Sequence, residues 1–398
     1  MTTDHGSAKA PRRARIALAA GLVLALAGAA AFGYWVGRPG GLDFFGAPAP
    51  ATGSPTGSPT GSATGSPTGS ATATASPPAA TPSLAPLANP PSKEAPPVSA
   101  SLGYRVSGYR PQAIDPPFIT RNEATDRQVE LDGDGALVYR LGDGGDEVYQ
   151  PVTTLQWAMG AHTQFWLTGQ QLWLDLARAS ALKVLDGKTA SDDAWYYPYP
   201  YKWEKAEFGY GLDPPWYSAM AQGEALSVFT QLAREYPDEA IWEQAASATF
   251  ESFLQPVSAD RPWVTDVVDG YVWFEEYAGP EPIEVFNGHV FALFGIYEYA
   301  LATGDQRAID LFDGGTTTAL AAIEQIRLPG EVSLYCVQPQ RCVEQKWQSQ
   351  NYQAIHIAQL EMLAAITGDQ AFNDWAAALS SDVPDPVPWR VAKYWPKP

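Results

Sequence analysis

The residues with the clearest chemical potential lie in the loop at 271–288, YVWFEEYAGPEPIEVFNG, where the adjacent acids Glu275 and Glu276 precede Tyr277. Flanked by Trp273 and Phe274, a carboxyl there can carry a raised pKa beside a phenol, a pairing suited to proton transfer. A solvated acidic turn with Asn287 as a helix N-cap is the plainer reading of the same residues. In NYQAIHIAQL, Tyr352 and His356 stand four apart on one helical face, with Tyr352 near the helix start. The positive end of a helix stabilises a phenolate, so this tyrosine can act as acid or base. A Tyr/His pair packed in a core is the alternative. Trp216, in PPWYSAMAQG, can stack on a sugar face or fill a core, while Ala219, Ala221 and Gly223 suit close helix packing. No G-x-S-x-G, P-loop, dinucleotide fingerprint or H-E-x-x-H occurs, and one of only four histidines, His5, stands at the far N-terminus. Metal and Ser–His chemistry are therefore not expected, nor is a cofactor.

Four helical hairpins must position these residues. Thr168-Gly169-Gln170, Tyr236-Pro237-Asp238, Thr303-Gly304-Asp305 and Thr367-Gly368-Asp369 recur at a spacing of about 65 residues, each between two apolar-periodic segments. The glycines suit helix C-caps and the polar residues after them suit the next N-cap. The expected fold is all-α, an α/α-hairpin toroid or incomplete α/α barrel of about four hairpins. The first helix of each unit should start near Val152, Met220, Asn287 and Asn351, so all four N-termini face one end. The long loops 186–215, 256–286 and 329–351 must gather at that rim, where helix N-termini favour anions.

Ahead of the hairpins the composition changes. Ile16 to Gly37 is an uncharged apolar run of 22 residues, preceded by Arg12, Arg13 and Arg15 and followed by Arg38. It reads as a transmembrane anchor with a cytoplasmic N-terminus, 1–15; a cleaved signal sequence ending near Ala29–Ala31 is the rival, and either exports the remainder. Residues 38–100, with GSPTGSPTGSATGSPTGS, form a disordered linker whose flexible reach is on the order of 40 Å. Residues 101–148 make a short β-containing lead-in, with a hairpin about Asp132-Gly133-Asp134-Gly135 that reads as a turn rather than a calcium loop. The domain proper is 149–398, long enough for one large core. Its only cysteines, Cys336 and Cys342, suit a local disulfide outside the cytoplasm. A formal charge of −19 argues against nucleic acid, so a polyanion would have to meet locally placed basic groups.

Taken together, VYQPVTTLQWA, PPWYSAMAQGEALSVF, WFEEYAGPEPIEVFNGHVFALFGIYEY and NYQAIHIAQL resemble, in family order, the C-terminal domain of D-glucuronyl C5-epimerases over most of 149–370. The family converts glucuronate to iduronate within heparan sulfate or heparosan. The resemblance implies Glu276, Tyr277 and Tyr352 as catalytic groups and Asn287 and Tyr335 as substrate contacts. Arg341, Lys346 or Arg327 would then hold the uronate carboxylate, with Trp216 and His356 as further contacts. Two departures stand out. Cys336-Val337-Gln338 follows Tyr335 where the family carries a basic residue, and only 101–148 stands in place of the β-domains of animal epimerases. The expected partners are a uronate-containing polysaccharide and, through 16–37, a membrane; a homodimer is left open. A uronate lyase, which shares the first proton abstraction, and a non-catalytic glycan-binding module are the rival readings.

Overall fold

The computed structural model describes residues 85–121, 129–141, 145–205, 210–348 and 350–383. Eight α-helices follow one another in pairs among the described residues: α1 Pro151–Thr168 with α2 Gln171–Asp186, α3 Ala219–Glu235 with α4 Ala240–Ser252, α5 Phe286–Thr303 with α6 Gln306–Ile326, and α7 Gln350–Thr367 with α8 Gln370–Asp382. The local signals for these boundaries are in place. The Gln150 side chain accepts from Thr153 N at 2.9 Å ahead of Pro151, and Asp305 and Asp369 cap α6 and α8 in the same way. Gly169, Gly304 and Gly368 take the left-handed conformation that ends α1, α5 and α7.

Burial separates the two helices of most pairs. The first helices are enclosed on every face: α1 from Pro151 to Thr163, α3 from Ala219 to Phe229 and α5 from Phe286 to Ala300 are continuously buried. Among the second helices, α2 buries one stripe, with Leu174, Ala177, Ala181, Val184 and Leu185 facing inward, whereas α6 is continuously buried from Leu311 to Ala319. Neighbouring first helices pack together, α1 on α3, α3 on α5 and α5 on α7, with the second helices outside them. This is the α/α-hairpin toroid. Its tightest seam joins α3 and α5: a methyl group on Gly223 would lie 2.3 Å from Cα of Ala292, so the backbones are in contact.

The loops before the first helices are built from two-stranded antiparallel hairpins. β3 Thr189–Ser191 pairs with β4 Ala194–Tyr196, β5 Trp203–Lys205 with β6 Tyr210–Leu212, and β7 Thr265–Val268 with β8 Tyr271–Phe274. The segment before α7 holds a π-helical turn at Pro339–Val343 and the disulfide Cys336–Cys342. The bridge Val285–Cys336 joins it to the loop before α5, and the bridge Leu334–Gln348 closes it on itself.

The lead-in contains β1 Tyr139–Arg140 and β2 Glu147–Val148 and a tight turn in which Asp132 Oδ1 accepts from Asp134 N at 2.8 Å and Ala136 N at 3.0 Å. The expected linker, 38–100, lies outside the described residues as far as 84. From 85 onward the chain is an extended strap laid across the last two hairpins. The reason is specific pairing: Arg327 Nη2 and Nη1 donate to Leu87 O and Asn89 Oδ1, and Ser92 donates to Glu324. The expected span 16–37 also lies outside the described residues, and no helix among those described is long and apolar enough to cross a membrane.

Candidate active site

At the end where the first helices begin, three rim segments bring together side chains separated by up to 76 positions. Leaving β8, the chain is pinned at Glu275, whose N–H donates to Val264 O at 2.8 Å and whose carbonyl accepts from Ala219 N at 2.7 Å. The next residue, Glu276, is turned inward and only 1% exposed. Its Oε1 accepts from the Tyr335 hydroxyl at 3.0 Å and its Oε2 lies 3.4 Å from Asn287 Nδ2 at the start of α5. Gly288 is required there, since a Cβ would fall 2.3 Å from Glu276 Oε2. The Tyr277 and Tyr335 hydroxyls are 3.3 Å apart, and the Tyr352 ring, in the first turn of α7, packs 4.5 Å from that of Tyr335. Glu276, Tyr277, Asn287, Tyr335 and Tyr352 thus form one cluster.

Its electrostatics follow from burial. Desolvation pushes the Glu276 carboxyl up to about 7, against the hydrogen bonds of Tyr335, Tyr277 and Asn287, which favour its ionised form. Burial, joined by the negative charge of Glu276, holds Tyr277 and Tyr335 well above an ordinary phenol, so both are hydroxyl donors near neutrality. Asn287 Oδ1 is buried without a hydrogen-bond partner, although its backbone carbonyl accepts from Gln359. The site therefore holds a carboxyl poised to exchange its proton at neutral pH, between phenols that stay protonated.

The remaining expected residues divide. His356 is buried one turn along α7, receives Ser333 at Nδ1 (2.8 Å) and is held neutral, down to about 3, by burial. Trp216 is a core residue rather than an open platform: it is 4% exposed, stacks on Tyr199 at 3.8 Å and donates to Tyr201 O. Arg341 lies over the Tyr210 ring, which borders the cluster through Tyr210 Oη and Tyr277 O, and it is paired with Glu281. Lys346 is on the surface, paired with Glu331 at 3.2 Å, and Arg327 is fully buried in the strap latch, so neither reaches the cluster. Two cluster walls carry no spacing signal in the sequence: Trp203 stacks on Tyr277 at 4.1 Å and Trp347 packs 4.3 Å from Tyr335. Both come from rim loops whose paths are set only by tertiary packing.

Residues 191–381, which include every residue of this cluster, match the family described as D-glucuronyl C5-epimerase C-terminus. This segment belongs to that family. A D-glucuronyl C5-epimerase of Caenorhabditis elegans is 26% identical over 184 residues, covering 42% of this chain and 28% of the worm protein. An uncharacterised protein of Methanocaldococcus jannaschii is 26% identical over 165 residues, 41% of this chain and 51% of the archaeal one. The chain thus spans at most about half the length of these relatives. Among solved structures, a cellobiose 2-epimerase from Spirochaeta thermophila aligns at 12% identity over 63% of each chain with a TM-score of 0.44. An unsaturated glucuronyl hydrolase from Bacillus sp. GL1 aligns at 13% identity over 60% of this chain and 62% of its own, with a TM-score of 0.40.

Proposed function

We propose that the chain is a carbohydrate epimerase that inverts C5 of uronate residues, of the glucuronate-to-iduronate type, within a polysaccharide. The observation that carries this reading is the Glu276 carboxyl, buried with no salt bridge among the described residues, hydrogen-bonded by Tyr335 and facing Asn287, with Tyr352 across the Tyr335 ring. In the reaction a base takes the C5 hydrogen as a proton, the C–H electrons pass into the C6 carboxylate to give an enolate-like intermediate, and a donor returns a proton to the opposite face. No electrons are gained or lost overall. Glu276, with Tyr277, serves one face and Tyr352 the other, while Asn287 and the N-terminus of α5 receive the charge that grows on the carboxylate oxygens. Every member of the cluster is buried, with Trp203 and Trp347 packed against it, so sugar binding requires the surrounding rim to open.

That same burial favours a second reading, a glycan-binding module in which the cluster is an internal hydrogen-bond network with no turnover. Incubation with uronate-containing glycans in deuterated water, read by NMR at C5, separates the two. Deuterium at C5 supports the epimerase, binding without deuterium supports the module, and an unsaturated product absorbing in the ultraviolet identifies a lyase. For location we propose a membrane-tethered domain outside the cytoplasm. The apolar run 16–37 behind its arginine cluster and the disulfide Cys336–Cys342 support this placement. Protease shaving of intact cells should release the domain; full protection would contradict it.

A further inference from the structure

The acid next to Glu276 is enclosed as completely as Glu276 itself and is held by a different partner. Glu275 is 0% exposed, and its Oε2 accepts from Glu284 N at 3.3 Å, across the loop that both residues bound. Glu284 sits at φ 53°, a left-handed conformation that a residue with a side chain adopts only at a cost. The reward of that conformation is visible in its hydrogen bonds: its N–H faces Glu275, and its carbonyl accepts from Val337 N at 3.3 Å. Two residues on, Phe286 N donates to Tyr335 O at 3.2 Å, and the Tyr335 hydroxyl returns to Glu276 Oε1. The connections therefore close into a ring. It runs from the Glu276 backbone through the Glu275 side chain, Glu284, the 335–337 segment and the Tyr335 hydroxyl, back to the Glu276 carboxyl.

We propose that Glu275 is a positioning residue for Glu276, its carboxyl tying the 275–284 loop to the strand-like 335–337 segment so that Glu276 meets Tyr335 and Asn287. The proposal rests on the epimerase reading for its kinetic consequences, but the tie itself does not depend on it. The groups facing Glu275 are Glu284 of its own loop, Asp266 of β7 and Tyr210 of β6, with Arg341 and Glu281 beyond Tyr210. Burial and then the nearby Glu284 push the Glu275 carboxyl up to about 8, so it is protonated at neutrality. Ionisation above pH 8 adds a further negative charge beside Glu284 and Asp266 and loosens the loop.

The test compares wild type, Glu275→Ala and Glu275→Gln in the C5 exchange assay across pH, with thermal unfolding alongside. Losing the tie in Glu275→Ala should lower kcat about a hundredfold with KM little changed, as displacement of a reacting group by about 1 Å does. Glu275→Gln keeps the acceptor and cannot ionise. It should restore kcat below pH 7 and lack the wild type's alkaline loss near pH 8. A wild-type kcat in Glu275→Ala, or an unchanged alkaline loss in Glu275→Gln, overturns the proposal. If wild type exchanges no glycan hydrogen, the epimerase reading fails separately and the melting data decide the tie. Because the folded state holds this proton more tightly than the unfolded chain, stability contributed here falls as pH rises from about 4.5 towards 8. Glu275→Gln should then show a flatter Tm against pH in that window, and identical slopes would refute it.

Discussion

Two buried polar clusters at different places in the toroid answer the same physical problem in opposite ways. In the strap latch, Arg327 and Asp382 are both fully enclosed, and the guanidinium donates four hydrogen bonds: two to Asp382 at 2.8 and 2.9 Å, one to Asn89 and one to Leu87 O. At the rim, Glu276 is just as deeply enclosed, yet among the described residues its hydrogen bonds come from two phenols and an amide and no salt bridge reaches it. A buried carboxylate facing a cation is a fixed charge; one facing only neutral donors keeps its proton affinity near neutrality. The first arrangement fastens the chain, and the second can move a proton. This difference separates a fixed charge from a carboxyl able to exchange its proton, and the adjoining phenols set Glu276 apart from the equally buried Glu275 and Glu298.

The contrast can be broken at its most sensitive point by Tyr352→Phe, which should abolish C5 deuterium exchange, a loss of about 10²–10⁴-fold or more for an acid–base group, while leaving Tm nearly unchanged. Retained exchange would remove Tyr352 from the reaction. Arg327→Met should do the reverse. Leaving Asp382 buried and unpaired should cost about 3–5 kcal/mol in denaturant unfolding, with exchange per folded molecule preserved. Should Arg327→Met instead lower exchange without lowering stability, the latch would have to be part of the site.

A pH series sharpens the comparison further. Glu276 and Glu298 are each raised to about 7 by burial, so the folded protein holds both protons where the unfolded chain has released them. Stability should fall as pH rises from about 4.5 to 7, and Glu298→Gln, remote from the phenols, should flatten that slope without changing the pH profile of exchange. The smallest effect is expected at Trp216. Stacked on Tyr199 in the core, it should cost on the order of 1–3 kcal/mol as Trp216→Phe with KM unaffected, whereas a rise in KM would restore it as a sugar platform.

The hairpin array was legible from residue order because its signals are local. The glycines at 169, 304 and 368 and the caps Asp305 and Asp369 act within one turn of chain, although Gln170 makes no capping bond, and the helix starts expected near 152, 220, 287 and 351 fall at Pro151, Ala219, Phe286 and Gln350. The motifs around Glu276, Asn287 and Tyr352 could be singled out too, and the structure gathers these three. Which cation, if any, would join them could not be read: Arg327, Arg341 and Lys346 look equivalent as letters, yet they pair with Asp382, Glu281 and Glu331. Trp203, Trp347 and the Glu275 tie were equally invisible, since each acts across a gap in sequence that only folding closes.

Residue order alone determined the helical period, the turn chemistry, the apolar run before the domain and the spacing that places each loop ahead of a first helix. Those properties depend on neighbours within a few positions, where backbone geometry leaves little choice. The tertiary structure alone decided that the strap from 85 onward lies on α6 and α8, that Trp216 is enclosed and that Glu276 meets Tyr335 with no salt bridge among the described residues. Such outcomes turn on which distant surfaces exclude water from one another, and the proton affinity of a carboxyl is set by that exclusion rather than by its own place in the chain.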